Sequence, residues 1–217
     1  MTIRPFARFT AVALAAGTLA AALSACAPLV VGGAVVTGMV ATDRRTSGTQ
    51  LEDQGIELRA NAAMRENFGT QVNVNPTSFN RQVLLTGEVP SEEVKRQVEQ
   101  LVSRVQNVRS VVNELGVMAP SSLSQRSNDA LITGRVKASL VDSKDIFANS
   151  FNVTTARGVT YLMGRVTQRE ANRATEIVRG ISGVQRVVRV LEIISEDELR
   201  QMQAPAASNN ANPSPRN

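Results

Sequence analysis

Apolar positions along the chain fall into three regimes. Ala11 to Leu23 is an apolar run with no charge, and Pro28 to Ala41 is a second one, apolar but rich in glycine. Beyond it the spacing becomes periodic and alternates between helical and extended patterns. Ile56, Ala60, Ala63 and Met64 have helical spacing. Two short alternating runs follow, Val72 and Val74, then Val83 and Leu85. Val94, Val98, Leu101, Val102 and Val105 return to one helical face, and Val108 to Val117 closes the series as a strand.

The same series then repeats. Ile132, Val136 and Leu140 are helical, and Phe151 and Val153, then Val159, Tyr161 and Met163, alternate. Ala171, Ala174, Ile177, Val178 and Ile181 share a helical face, and Val184 to Ile194 is a closing strand. The two series align residue by residue. Gly87 and Gly164 differ by 77 positions, and Val108 and Val184 by 76. Glu93 and Glu170 each follow their glycine by six residues. A shift of one residue over that distance marks a duplication with a small gap.

Each copy therefore reads α-β-β-α-β. Ala156-Arg157-Gly158 has the composition of a hairpin turn, so the first two strands are antiparallel. A helix joins the second and third strands, and a right-handed crossover makes them parallel. The expected fold class is α+β: two tandem units, each a three-stranded mixed sheet with two helices on one face. The expected boundaries are 53–118 and 127–195, with 119–126 as linker. A unit of this size buries a modest share of its surface, so packing of the copies on each other would help both. Residues 196–217 lack an apolar period for most of their length and are expected to be disordered. Thr167 and Glu170 have capping-box spacing, and Ser127-Asn128-Asp129 offers caps for the first helix of the second copy.

The N-terminal run belongs to processing rather than fold. Arg4 and Arg8 precede an apolar stretch too short for the ~20 residues of a bilayer span. Leu23-Ser24-Ala25-Cys26 then has the form of a lipobox, an aliphatic residue and two small residues before Cys. This marks residues 1–25 as a signal peptide, Cys26 as the lipid attachment, and 26–52 as a lipidated tether. Cys26 is the single cysteine, so an intrachain disulfide is excluded. More than one acyl chain gives stable anchoring. Ala27 follows the cysteine, and by analogy with enteric bacteria, where Asp there favours inner-membrane retention, the default is the outer membrane, facing the periplasm.

Charge and composition narrow the function classes. The net charge is +5, and removal of Arg4 and Arg8 leaves +3. The chain has no basic cluster with aromatic stacking platforms, as a nucleic-acid binder needs. It contains no His, and its one thiol is assigned to acylation, so neither a triad nor a zinc site can be assembled. No phosphate-cradling glycine loop is present either. The reading is a non-enzyme without cofactor, metal or small-molecule substrate.

The apolar-x-Gly-x-Val segments at Gly87 and Gly164, each followed by a glutamate before the second helix, and Gly183-Val184-Gln185-Arg186-Val187 after it resemble the BON domain. The first copy has Asn107 in the position of Gly183. Lipobox, the Ala41–Gln50 segment and two such units together resemble the dual-BON-domain outer-membrane lipoproteins of proteobacteria. That resemblance implies a role in outer-membrane integrity and cell division, and contact with anionic phospholipid through the first helix of the second unit. On that helix Leu131, Gly134, Ala138 and Val141 fall away from the Ile132 face, flanked by Arg135, Lys137 and Lys144. An apolar outer face with basic neighbours suits a lipid interface. The alternative is that this face packs on the first unit, and that the protein is an adaptor for an envelope or division partner. The related lipoproteins carry an aromatic where Leu131 stands, which implies weaker affinity or a different partner here.

Overall fold

The computed structural model describes residues 43–203. In chain order these form α1 (Ser47–Phe68), β1 (Asn73–Phe79), β2 (Gln82–Val89), α2 (Glu92–Ser103), β3 (Ser110–Asn113) and β4 (Gly116–Val117). The second copy supplies α3 (Leu123–Asp142), a 3-10 turn (Ala148–Ser150), β5 (Phe151–Ala156), β6 (Val159–Thr167), α4 (Gln168–Arg179) and β7 (Arg186–Ile194). A last helix, α5 (Glu196–Gln203), follows. Cys26, the lipobox, most of the tether and residues 204–217 lie outside the described residues.

Both units have the topology that the periodicity implies. β1 runs antiparallel to β2, and β2 parallel to β3. β5 runs antiparallel to β6, and β6 parallel to β7. Each hairpin closes through two residues in the left-handed region, Asn80 (φ 50°) and Arg81 (φ 66°) in one unit, Arg157 (φ 53°) and Gly158 (φ 70°) in the other. Turns of this hand match the natural strand twist. A carboxylate from the first helix of each unit clamps the turn. Asp53 accepts from the Asn80 and Arg81 amides, and Asp129 from those of Arg157 and Gly158, all at 2.8 Å. Asp129 is thus a clamp, not the N-cap that the sequence suggests. The cap lies earlier, where Ser122 and Gln125 form a reciprocal capping box that starts α3 at Leu123.

The signature glycines mark places where no side chain fits. A Cβ on Gly87 (φ 119°) would stand 1.9 Å from the Asn73 carbonyl oxygen, and one on Gly164 would stand 2.4 Å from that of Ser150. Gly183 has φ 97°, and Asn107 takes the equivalent place with φ 68°. Asn is the side chain that tolerates that region best after Gly, so the first copy keeps the backbone without the glycine.

Three differences from the sequence reading have local causes. The third strand of the first unit is interrupted at Glu114-Leu115, where Leu115 turns into the core, so that sheet gains the short segment β4. α1 begins at Ser47, inside the expected tether, because the Thr46 side chain accepts from the Thr49 amide. Residues 196–203, expected to be disordered, form α5. Ser195 accepts from the Glu198 amide, Glu198 pairs with Arg165, three acids occupy the first turn, and Leu199 is buried.

The copies pack sheet to sheet. In each unit one sheet face meets its own helices: Val83, Leu85 and Val89 meet Ile56, Ala60, Val98 and Val102, while Leu162 and Val166 meet Ile132, Val136, Ala174 and Val178. The opposite faces meet each other through Phe79, Leu84, Tyr161, Met163 and Val190. The result is four layers, α/β/β/α, with strands buried on both sides. Tyr161 and Met163, which the alternation puts together, therefore face the other copy and not their own helices.

Polar contacts seal this interface reciprocally. The hairpin residue Arg157 donates to the Gly87 carbonyl and pairs with Glu88 at 3.3 Å, while Asn80 donates to Glu192 at 2.6 Å. Burial works against the charge of Glu88, but donors on Ser121, Asn73 and Arg157 outweigh it and hold the carboxyl below its ordinary range. A second tie comes from the N-terminal segment. Arg44 makes a bidentate pair with Glu170 (2.7 and 2.8 Å) in the second unit, and Arg45 pairs with Asp53 at 2.8 Å in the first. Glu170 is 1% exposed, completes the capping box of Thr167, and lies below the usual carboxylate range because Arg44 and the Thr167 amide overcome its desolvation. Glu93, its counterpart, is exposed and pairs with Arg96 instead of capping.

Candidate functional site

α3 spans the outer layer of the second unit. Ile132, Val136 and Leu140 are buried at helical spacing against the sheet and α4. Their burial fixes the rotation of the helix, and so decides what faces outward. Leu131 is 60% exposed and Val141 68%. Gly134 and Ala138 between them are exposed too, and nothing lies within 4 Å of the position a Gly134 Cβ would take. The four residues form the outward stripe that the spacing suggests. The face does not pack on the first unit, because the units meet through their sheets.

Arg135, Lys137 and Lys144 are all exposed beside this stripe. Among the described residues none of the three forms an ion pair with a carboxylate; Arg135 makes one long bond to the Ser182 carbonyl at 3.5 Å. Two acids share the region. Asp142 is exposed, and Asp145 is neutralised by Arg173 at 3.2 Å. The site is therefore an exposed apolar stripe about three turns long, edged by unpaired cations. Among the described residues no three carboxylates or other metal-ligating side chains come together.

The sequence reading missed two contributors. Phe147 is 50% exposed on the loop that follows α3. Its signal is the dipeptide Ile146-Phe147 in the turn after α3, where Ile146 goes into the core and Phe147 is left outside. Arg44 carries the other contribution, fixing the N-terminal segment to the second unit, and no local pattern announces a partner 126 residues away.

The BON domain model matches residues 52–119 and 128–195. This chain belongs to the BON-domain family. The outer membrane lipoprotein DolP of Haemophilus influenzae is 36% identical over 79% of this chain and 90% of its own length. A 21 kDa hemolysin of Actinobacillus pleuropneumoniae is 27% identical over 70% of this chain and 79% of its own. Among solved structures, CdsD, a structural protein of the type III secretion system of Chlamydia trachomatis, covers 69% of this chain at 15% identity with a TM-score of 0.28. Both matched segments start in the first helix of a unit and end after its last strand.

Proposed function

We propose that this protein is anchored in the outer membrane through Cys26, faces the periplasm, and binds anionic phospholipid through the outer face of α3, so supporting outer-membrane integrity. The observation that carries this reading is the exposed stripe of Leu131, Gly134, Ala138 and Val141, edged by Arg135, Lys137 and Lys144, which have no carboxylate partners among the described residues. Apolar side chains of this kind enter the headgroup boundary while the cations meet phosphates. Each cation near an anionic surface contributes about 1 kcal/mol. DolP, an outer membrane lipoprotein by name, supports the placement.

Flotation of the unacylated mature chain, residues 26–217 carrying Cys26→Ala, with phosphatidylglycerol vesicles tests it. Wild-type binding and its loss in Leu131→Glu, with an unchanged thermal melt, is the expected result. Burying a Leu side chain contributes roughly 1.5–3 kcal/mol, or a ten- to hundredfold change in partition. Equal binding of the two proteins would reject the contact. An adaptor role has its own observation: Leu51 and Leu58, 69% and 70% exposed on α1, lie in the opposite outer layer of the sandwich. A bilayer under α3 leaves them free for a protein partner.

A further inference from the structure

The loop after α3 is held rigidly. Ile146 sits in the core, the Asp145 carbonyl accepts from Arg169 at 3.0 Å, and its carboxylate pairs with Arg173. The Ser150 amide donates to the Phe147 carbonyl at 3.0 Å. With its neighbours fixed, the Phe147 ring is the exposed aromatic among the described residues. Lys144, exposed and without a carboxylate partner, precedes it by three residues, and Val141 by six.

The attachment of the N-terminal segment points to what covers this tip. Arg169 and Arg173, which hold the loop, belong to the first half of α4. Glu170 between them holds Arg44. The chain therefore joins the folded body at the same end of the second unit that presents Phe147. Cys26 lies seventeen residues before Asp43, a reach of no more than about 60 Å fully extended. A tether fixed at that end lets that end meet the bilayer without the chain having to cross the folded body.

We propose that Phe147 and Lys144 form a second bilayer contact: the ring enters the headgroup boundary of an anionic membrane, and the ammonium meets a phosphate beside it. The inference rests on the anionic-phospholipid reading of α3 and extends it, because the second unit then meets the membrane with the C-terminal end of α3 foremost. An aromatic residue on a pinned loop loses little further freedom on insertion, which favours affinity. The position also supplies an aromatic anchor that the helix itself lacks at Leu131.

The chain contains no Trp, so a single substitution creates a clean reporter. In the mature chain, residues 26–217, carrying Cys26→Ala, Phe147→Trp should show blue-shifted emission and quenching by brominated lipid on phosphatidylglycerol vesicles, and neither on phosphatidylcholine alone. Phe147→Asp should weaken partition roughly tenfold or more, with the thermal melt unchanged. If Phe147→Asp binds like wild type while Leu131→Glu does not, the tip contact is overturned and the helix reading stands. If wild type ignores the vesicles, both are overturned. Should Phe147→Asp melt early, the Trp emission decides: unshifted emission rejects the contact, shifted emission supports it.

Discussion

Removal of Arg44 is the most informative perturbation of the two-unit body. Its guanidinium is 7% exposed and makes two bonds to the Glu170 carboxylate, which is 1% exposed, and a third to the Arg165 carbonyl at 2.9 Å. Arg44→Ala leaves a buried carboxylate whose remaining hydrogen bond among the described residues comes from the Thr167 amide, with Arg169 acting on it without a hydrogen bond. Breaking a buried pair from one side costs about 3–5 kcal/mol, and urea unfolding of the full chain measures it. Glu170→Gln keeps a hydrogen-bonding group for the cap, so the double variant should lose less than the sum of the single ones, by about 1–3 kcal/mol of coupling. The coupling also has a pH signature. The folded Glu170 titrates below its unfolded value, so its contribution is present above the ordinary glutamate range and is lost as pH falls through the folded value. Wild type should therefore lose stability on acidification through and below about pH 4.5, and Arg44→Ala should lose less over the same window. A coupling below about 0.5 kcal/mol, within the error of additivity, would refute the claim that this pair ties the N-terminal segment to the second unit.

Gly87→Ala should be among the most disruptive small substitutions, since the new methyl would overlap the Asn73 carbonyl in a strand pair with no slack; a thermal melt within 1–2 °C of wild type (about 0.5 kcal/mol or less) would contradict the close approach. Cys26→Ala should abolish incorporation of a fatty-acid analogue, and label retained in the variant would place the anchor elsewhere.

The fold was legible because its information is local and repeated. Helix faces, the hairpin turn at Arg157-Gly158 and the capping box at Thr167 each arise from residues within a few positions of one another. The 76- and 77-residue offsets then let each copy check the other. The exposed stripe was legible for a related reason: three buried residues, Ile132, Val136 and Leu140, fix the helix rotation, and the residues left outside follow from the period. What stayed hidden depends on long-range neighbours. Alternation along β6 cannot tell which of two buried faces meets helices and which meets a second sheet. Nor can residue type show that Asp129 faces a turn 28 residues away instead of its own helix end.

The sheet-to-sheet core carries a consequence for the history of the chain. Phe79 and Leu84 cover Tyr161, Met163 and Val190, and are covered by them. A lone unit would expose that apolar sheet face to water, and its natural remedy is a second copy of itself, face on face, about a twofold axis. Arg157 and Asn80, equivalent hairpin residues, each reach a carboxylate of the other unit, Glu88 on β2 and Glu192 on β7. The protein is in this sense a dimer whose subunits have been joined by a short linker. The two halves differ on their outer faces: one carries cations on its outer helix and holds Arg44, while the other holds Arg45 and presents a pair of exposed leucines.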